Sequence, residues 1–377
     1  MTALLLARAG VEVRVIERAR FPRTKVCGEY LNGGAMEALA RLGVLDDVRA
    51  VGSELRGVRL VPAGAAAVAL AFPGPALACA RADLDTVLLD AAAAAGAAIE
   101  QARVEDVLVE DGRCIGVRVR TPAGDLEDRP ARVVVGADGI GSLVARKLGL
   151  TAPVARGARY AVGGHYAGFG AFDGFVEMYV GRGAYFALNP LSDGRTNVMV
   201  VVPRERLARW SADVDAGVGG AAAELGRGVR SFADALRIGP RVSIGPLAHR
   251  VRRAWAPGAV LVGDAAGFLD PFTGQGVFLA LTGAERAADA ILAALRRSEG
   301  DTAPFAAYGR WRDADVAWRR RLCRTVALLV DVPPLARRAA NRLARFPDAG
   351  AALLEALAGV VPPQRAFRPS VLGRLIA

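Results

Sequence analysis

The chain has 377 residues, 53% hydrophobic and 23% charged, which suits two packed lobes and excludes a disordered, collagen-like or coiled-coil protein. Lys plus Arg number 49 and Asp plus Glu 38, a net charge of +11, an excess that favours a phosphorylated cofactor or an acidic membrane face. Aromatics are only 6% and no dense basic tract is interleaved with them, which argues against nucleic acid.

Residues 2–9 read as the end of a helix closed by Gly10, and Val11 to Glu17 alternate into a strand that ends on an acid. This pattern is the second half of a βαβ dinucleotide unit, whose first strand and Gly-rich turn stand before the helix. Roughly 12 to 15 residues that the unit requires are missing ahead of Met1, so the expectation is either a start placed too late or a truncated chain. Arg81 to Ala98 read as an Ala-rich helix. Three strands follow, around Val104–Val107, around Cys114–Val119 and ending in Arg132-Val133-Val134-Val135-Gly136-Ala137-Asp138-Gly139, as a β-meander laid against a parallel sheet.

From about 157 to 203 strand-like alternation returns, with Asn189-Pro190 breaking one strand, as a candidate substrate-side sheet joined by residues 52–76. The strand Ala259–Val262 runs into Gly263-Asp264 with a helix from near Gly274, so the first lobe resumes late. Beyond about 285 the chain is helical and Arg-studded, broken at Pro333-Pro334 and Pro362-Pro363. The expected division is 1–51, 77–150 and 248–300 for a discontinuous cofactor domain, 52–76 and 151–247 for a β-rich substrate domain, and 301–377 for a helical tail. Gly217-Val218-Gly219-Gly220 has no apolar strand before it, which argues against a second dinucleotide fold there.

Four scattered cysteines and two histidines, His165 and His249, suggest neither a zinc cage nor a disulfide framework. The opening residues lack a basic n-region and a full apolar h-region, and no apolar run is long enough to span a bilayer, so a cytoplasmic setting is the default. Glu17 stands where an acid at a strand end accepts ribose hydroxyls of a dinucleotide. More specific is the phrase from Ala259 to Leu281. A buried strand delivers Asp264 at its end, small residues let a ligand approach the backbone, and a Gly-flanked helix start aims N–H groups at it.

On these residues the chain resembles the FAD-dependent oxidoreductase superfamily that contains aromatic hydroxylases, flavin halogenases and geranylgeranyl reductases. The resemblance implies an α/β fold, an FAD-binding parallel sheet without its first strand, with a β-rich substrate domain and a helical C-terminal tail. It implies that Gly263 and Asp264 hold the ribityl chain, that Asp138 in Val135-Gly136-Ala137-Asp138-Gly139 lies near the pyrophosphate and the nicotinamide path, and that Arg81 approaches the cofactor. Val104 would touch adenine through its backbone, Glu17 and Arg18 would lie near the adenosine, and the ring would sit between Cys27 and the loop carrying Pro271, Gly274, Gln275 and Gly276. Phe21 to Glu29, with Lys25 and Cys27-Gly28, resembles the geranylgeranyl reductase branch, where the Cys-Gly lies beside the flavin. Cys27 is therefore the candidate catalytic residue, and a small buried hydrophobe is the alternative.

The resemblance also implies NAD(P)H as electron donor and a small apolar substrate, with reduction of an isoprenoid double bond as the leading reaction. Monooxygenation is the alternative, and an inactive flavoprotein remnant is a third reading. A halogenase would carry Trp-x-Trp-x-Ile-Pro, which Trp210, Trp255, Trp311 and Trp318 do not supply. Hydroxylases place Met-Asn after Gly-Gln-Gly, where Val277-Phe278 stands here, and the reductase branch's usual Trp near Tyr185–Pro190 is absent. His165, Tyr166 and Tyr185 are candidate proton donors or ordinary sheet residues. Arg319-Arg320-Arg321, Arg337-Arg338, Arg342 and Arg345 suit either peripheral contact with anionic lipid or plain solvated helix faces.

Overall fold

The computed structural model describes residues 1–376 apart from 65, 155–158, 182, 210–213, 226–229 and 299. The first helix, α1 (Thr2–Arg8), buries Leu4 and Leu6, and Gly10 at φ +78° ends it. Then come β1 (Arg14–Glu17), the short β2 (Tyr30–Leu31), α2 (Gly33–Arg41) and α3 (Leu45–Ala50). Asn32 starts α2 by accepting a hydrogen bond from Ala35 N at 2.9 Å. An antiparallel pair, β3 (Ser53–Pro62) and β4 (Val68–Ala78), leads to α4 (Arg81–Ala94). The helix expected to reach Ala98 ends earlier, because Gly96 takes φ +99° and the chain turns into β5 (Ala98–Gln101).

A meander of β6 (Arg103–Glu110), β7 (Arg113–Arg120) and β8 (Leu126–Pro130) follows, then β9 (Val134–Gly136) and α5 (Leu143–Lys147). The third meander strand is therefore the largely exposed β8, and not the apolar run ending at Gly136. That run is β9, which pairs in parallel with the late strand at residues 259–261; a continuous apolar run belongs in a sheet covered on both faces. Next are β10 (Arg159–Ala167), β11 (Phe175–Gly181), β12 (Ala184–Pro190), β13 (Thr196–Pro203), α6 (Arg204–Arg209), α7 (Val214–Leu225) and β14 (Leu236–Ile244). The expected onset of this sheet near 157 lies outside the described residues.

The chain closes with β15 (Trp255–Ala256), β16 (Ala259–Leu261), α8 (Gly276–Leu295), α9 (Ala303–Asp331), α10 (Pro333–Arg345), α11 (Pro347–Leu357) and α12 (Pro369–Ile376). Short 3-10 turns at Gly263–Ala266 and Pro271–Thr273 lie between β16 and α8. Among the described residues no helix is long and apolar enough to cross a membrane.

Eight strands form one sheet in the order β14-β10-β13-β12-β11-β3-β4-β2, so residues 53–78 join the strands of 159–244. Among the described residues the parallel part is in two pieces, β1-β5 and β16-β9, the latter edged by the antiparallel β15, with no ladder between the pieces. Both pieces pack in one apolar cluster that includes Leu6, Val13, Ile16, Val135 and Leu261. The fold is the expected mixed α/β one, a parallel sheet beside a large β-sheet.

Period-two alternation decides what the large sheet presents to each side. Phe186, Leu188, Val198, Val200 and Val202 face Val218 and Ala222 of α7. The alternate set, Ala161, Tyr185, Met199 and Val201, packs with Val26 and Phe272. His165, Asn189 and Asn197 have the parity of this second set, so they also face the loop that carries Val26 and Cys27.

Candidate cofactor and active site

The strand β16 is fully buried and its last carbonyl, on Leu261, accepts a hydrogen bond from Tyr308 Oη at 2.7 Å. The chain then enters the turn at Gly263, φ +56°, which places Asp264 beyond the C-terminal end of that strand. Burial pushes the Asp264 carboxyl above its ordinary value, opposed by the charges of Lys25, Arg81 and His249. Among the described residues this carboxylate accepts no hydrogen bond, as expected of a group shaped to receive hydroxyl donors from a ligand. Lys25 is pulled below its ordinary value, first by burial and then by Arg81, with Asp264 and Asp85 opposing. Its Nζ also stands 3.9 Å from where a Cβ would lie on Gly139. The segment carrying Lys25 thus meets both Asp-bearing motifs.

Arg81 donates to both oxygens of Asp85, at 2.9 and 2.7 Å. Burial works against its charge, but Cys27 and Asp85 outweigh that and hold the guanidinium above its ordinary range. Arg23 extends the chain of charges, 3.4 Å from Asp85 and, through Nε, 3.7 Å from Glu17, and among the described residues that buried Nε has no hydrogen-bond partner. Glu17 itself accepts from Ala19 N at 2.9 Å. Glu17, Lys25, Cys27, Arg81 and Asp264 are therefore brought into one network, with Gly139 at its margin.

The other expected residues have different surroundings. Asp138 accepts from Ser142 Oγ, Leu143 N and Val144 N, so its carboxylate serves the start of α5 and leaves the backbone at Gly139 and Gly141 to meet a ligand. Gln275 is buried, accepting from Arg319 at 3.0 Å and facing Cys323, which ties the start of α8 to α9. Gly274 takes φ +63°, and a Cβ there would stand 2.7 Å from the Tyr30 ring. Pro271 opens the second 3-10 turn, and Gly276 begins α8 with open space around it. Arg18 is exposed, and Val104 packs in the cluster with Val13 and Ile16.

The Cys27–Glu29 tripeptide is gripped from the large sheet. Asn197 Nδ2 donates to Cys27 O at 2.7 Å, and Asn189 Nδ2 donates to Gly28 O and Glu29 O at 3.0 and 2.8 Å. Glu29, held at φ +55°, is buried; its carboxylate accepts from Arg81 N at 2.9 Å, at the start of α4, and lies 2.8 Å from His165 Nε2. Cys27 Sγ accepts from Glu29 N at 3.3 Å. Tyr166 points to the opposite face and donates to Asp215 at 2.7 Å, so it does not act with His165. Tyr185 remains on the loop-facing side, 3.2 Å from Asp270.

Sequence reasoning missed Arg23, Glu29, Asn189 and Asn197. Their signal was weak, since polar residues in strands and an acid after Cys-Gly have many ordinary uses. Among the described residues no cluster of His, Cys, Asp or Glu is arranged to hold a metal ion.

This geometry fits a flavin dinucleotide: an unpartnered carboxylate for hydroxyls, and a buried cationic set for phosphate or reduced-ring charge. Comparison with known proteins agrees. The model of the family described as FAD binding domain matches residues 1–320. The chain is 27% identical over 315 residues to a 1H-pyrrole-2-carbonyl-[peptidyl-carrier protein] brominase of Pseudoalteromonas luteoviolacea, covering 81% of this chain and 77% of the relative. It is 28% identical over 329 residues to digeranylgeranylglycerophospholipid reductase 2 of Methanopyrus kandleri, covering 83% and 79%. The solved structure of a flavin-dependent brominase superposes with a TM-score of 0.83 at 22% identity, covering 99% of this chain and 95% of that one. A halogenating relative thus stands beside the reductases although the Trp-x-Trp-x-Ile-Pro phrase is absent. The chain belongs to the FAD-binding domain family and is an FAD-dependent oxidoreductase.

Proposed function

We propose that this enzyme reduces a carbon–carbon double bond of an isoprenoid or another apolar substrate, with NAD(P)H as the source of electrons. The observation that carries this reading is the apolar face of the large sheet toward the Cys27 loop. Tyr185, Met199 and Val201 meet Val26 and Phe272 there, and the Nδ2 atoms of Asn189 and Asn197 on that face are engaged with loop carbonyls. A face so lined excludes water and offers a polar substrate few partners. The likeness to the reductase branch at Lys25-Val26-Cys27-Gly28-Glu29 gives the same direction.

Bound FAD supplies hydride transfer. The chain's own residues do the rest. Asp264 receives sugar hydroxyls, while Lys25 and Arg81 balance negative charge near the ring. Asn189 and Asn197 fix the loop that presents Cys27, whose sulfur is held between Glu29 N–H and the Arg81 guanidinium at the edge of the apolar face.

Anaerobic turnover of a geranylgeranyl lipid with NADPH is the direct assay. The expected product gains two hydrogens per reduced double bond, and Cys27→Ser lowers kcat by roughly tenfold or more with FAD still bound, the scale of losing a positioned proton donor. Substrate-dependent oxygen uptake in stoichiometric amount, with no anaerobic turnover, would replace reduction by monooxygenation.

A further inference from the structure

Glu29 is 3% exposed, and its carboxylate is shared between two parts of the fold. One oxygen accepts from Arg81 N, 2.9 Å away at the start of α4, and the other lies 2.8 Å from Nε2 of His165 on β10. The backbone of Glu29 binds as well. Its N–H meets Cys27 Sγ, and its carbonyl accepts from Asn189 Nδ2 and from Cys79 N, at 2.8 and 2.9 Å. One residue therefore ties the Cys27 loop to the large sheet and to the helix that carries Arg81. It does so at φ +55°, a left-handed conformation that a non-glycine residue keeps only when its surroundings hold it there.

The proton on His165 is fixed by what stands on the other side of the ring, where Arg195 Nη1 lies 3.4 Å from Nδ1. A guanidinium only donates, so Nδ1 accepts, the one ring proton sits on Nε2, and it is donated to Glu29. Arg195 is held in turn by Asp193, which accepts from its backbone N–H at 3.0 Å and from its guanidinium. The other groups facing the pair are Arg81, Asp83 in the first turn of α4, and Cys79, whose thiol burial pushes up to about 12. Tyr166 lies on the opposite face of the sheet with Asp215.

A proton so engaged is not free to pass to a substrate. Without this donor a buried carboxylate oxygen is left unsatisfied, which costs more for a charged group than for a neutral one, and the left-handed residue loses a contact that constrains it. We propose that His165 is a positioning residue: as the Nε2–H tautomer fixed by Arg195 it holds Glu29, and through Glu29 it sets the Cys27 loop and the start of α4 against the cofactor. Its effect on turnover rests on the reading of Cys27 as a working residue beside the flavin. Its tautomer and its hold on the loop do not.

The sample is the full chain loaded with FAD and labelled with nitrogen-15. It has only two histidines, so the imidazole signals lost in His165→Gln belong to His165, and at neutral pH they should show a bare Nδ1 and a protonated Nε2. A proton on Nδ1 would overturn the proposal. Iodoacetamide then reads the loop, because Cys27 is half-buried while Cys79, Cys114 and Cys323 are buried. Alkylation of Cys27, followed by mass spectrometry, should run roughly tenfold faster in His165→Ala, the scale of one lost hydrogen bond to a charged group. Glu29→Gln should act alike, since an amide has one acceptor for the two donors that meet here. His165→Gln, whose amide can still donate to Glu29, should return the rate to near that of wild type, which a residue that only fills space would not do. If His165→Ala does not fold, His165→Asn, with a shorter amide that stops short of Glu29, takes its place. In anaerobic turnover kcat should fall and recover in the same series with KM unchanged. Equal or slower alkylation in His165→Ala and Glu29→Gln, or a change that His165→Gln does not reverse, removes the positioning role. Alkylation that follows the series in a protein with no anaerobic turnover keeps that role and removes the reductase reading instead.

Discussion

Asp264→Asn is expected to weaken FAD binding by about ten- to a hundredfold, the equivalent of roughly 1.5 to 3 kcal/mol for a hydrogen bond to a charged group. The same substitution should stabilise the FAD-free protein at neutral pH. Both effects come from one cause. Asp264 is held in a buried position that disfavours its charge and raises its pKa, and among the described residues no donor satisfies it. The folded protein therefore holds a proton on this group over a range where the unfolded chain has already lost it. Its charged form costs stability above that range, and the cost is relieved as pH falls through the raised folded value. Hydroxyl donors on a ligand reverse the balance, so FAD affinity of the wild type should fall as the carboxylate protonates. The variant should show a flat profile over the same acid range. Fluorescence titration with FAD at several pH values, paired with melts of the FAD-free protein, reads both; equal affinity of variant and wild type would remove Asp264 from the site.

Glu177→Gln is expected to cost about 3 kcal/mol of folding stability, the low end for breaking a buried charge cluster. Glu177 is 2% exposed on β11 and bonds Arg59, Arg230 and Tyr179 Oη. Arg230 also donates to Phe169 O and Ala171 O, and its guanidinium lies 4.0 Å over Phe172, so the carboxylate anchors a cation that closes the loop between β10 and β11. Burial alone would raise the Glu177 pKa, yet Arg230, Tyr179 and Arg59 together hold it below its ordinary value. Its contribution is present above the ordinary carboxyl range and is lost as pH falls through the depressed folded value. Urea unfolding at neutral and acid pH measures this, with the difference between Glu177→Gln and wild type shrinking toward low pH. The Arg118–Asp128 pair has good two-point geometry but is solvent-exposed, so Asp128→Asn should leave the midpoint nearly unchanged.

What the linear chain made legible was whatever is local. The strand–turn–helix phrase from Ala259 to Leu281 carries its own geometry, so Gly263, Asp264 and the start of α8 lie as expected. The Phe21–Glu29 segment has Lys25 near Asp264 and Arg81, and Cys27 near Arg81. What stayed hidden depends on contacts between distant strands. Asn189 and Asn197 hold the Cys27 loop only because the register of β12 with β13 points both side chains to one face. Glu29 meets His165 across 136 residues of sequence, a pairing no spacing rule anticipates. The run ending at Gly136 looked like a meander strand because a short apolar stretch has no period that distinguishes an edge strand from a buried parallel one. Asp138 is expected near the pyrophosphate, whereas its carboxylate is occupied by the local helix start.

The visible absorption spectrum of the purified chain, before and after anaerobic addition of NADPH, tests the central claim most directly. Flavin bands near one equivalent, released as FAD on denaturation and bleached by the donor, are the expected result. A colourless protein that takes up no added FAD would contradict it.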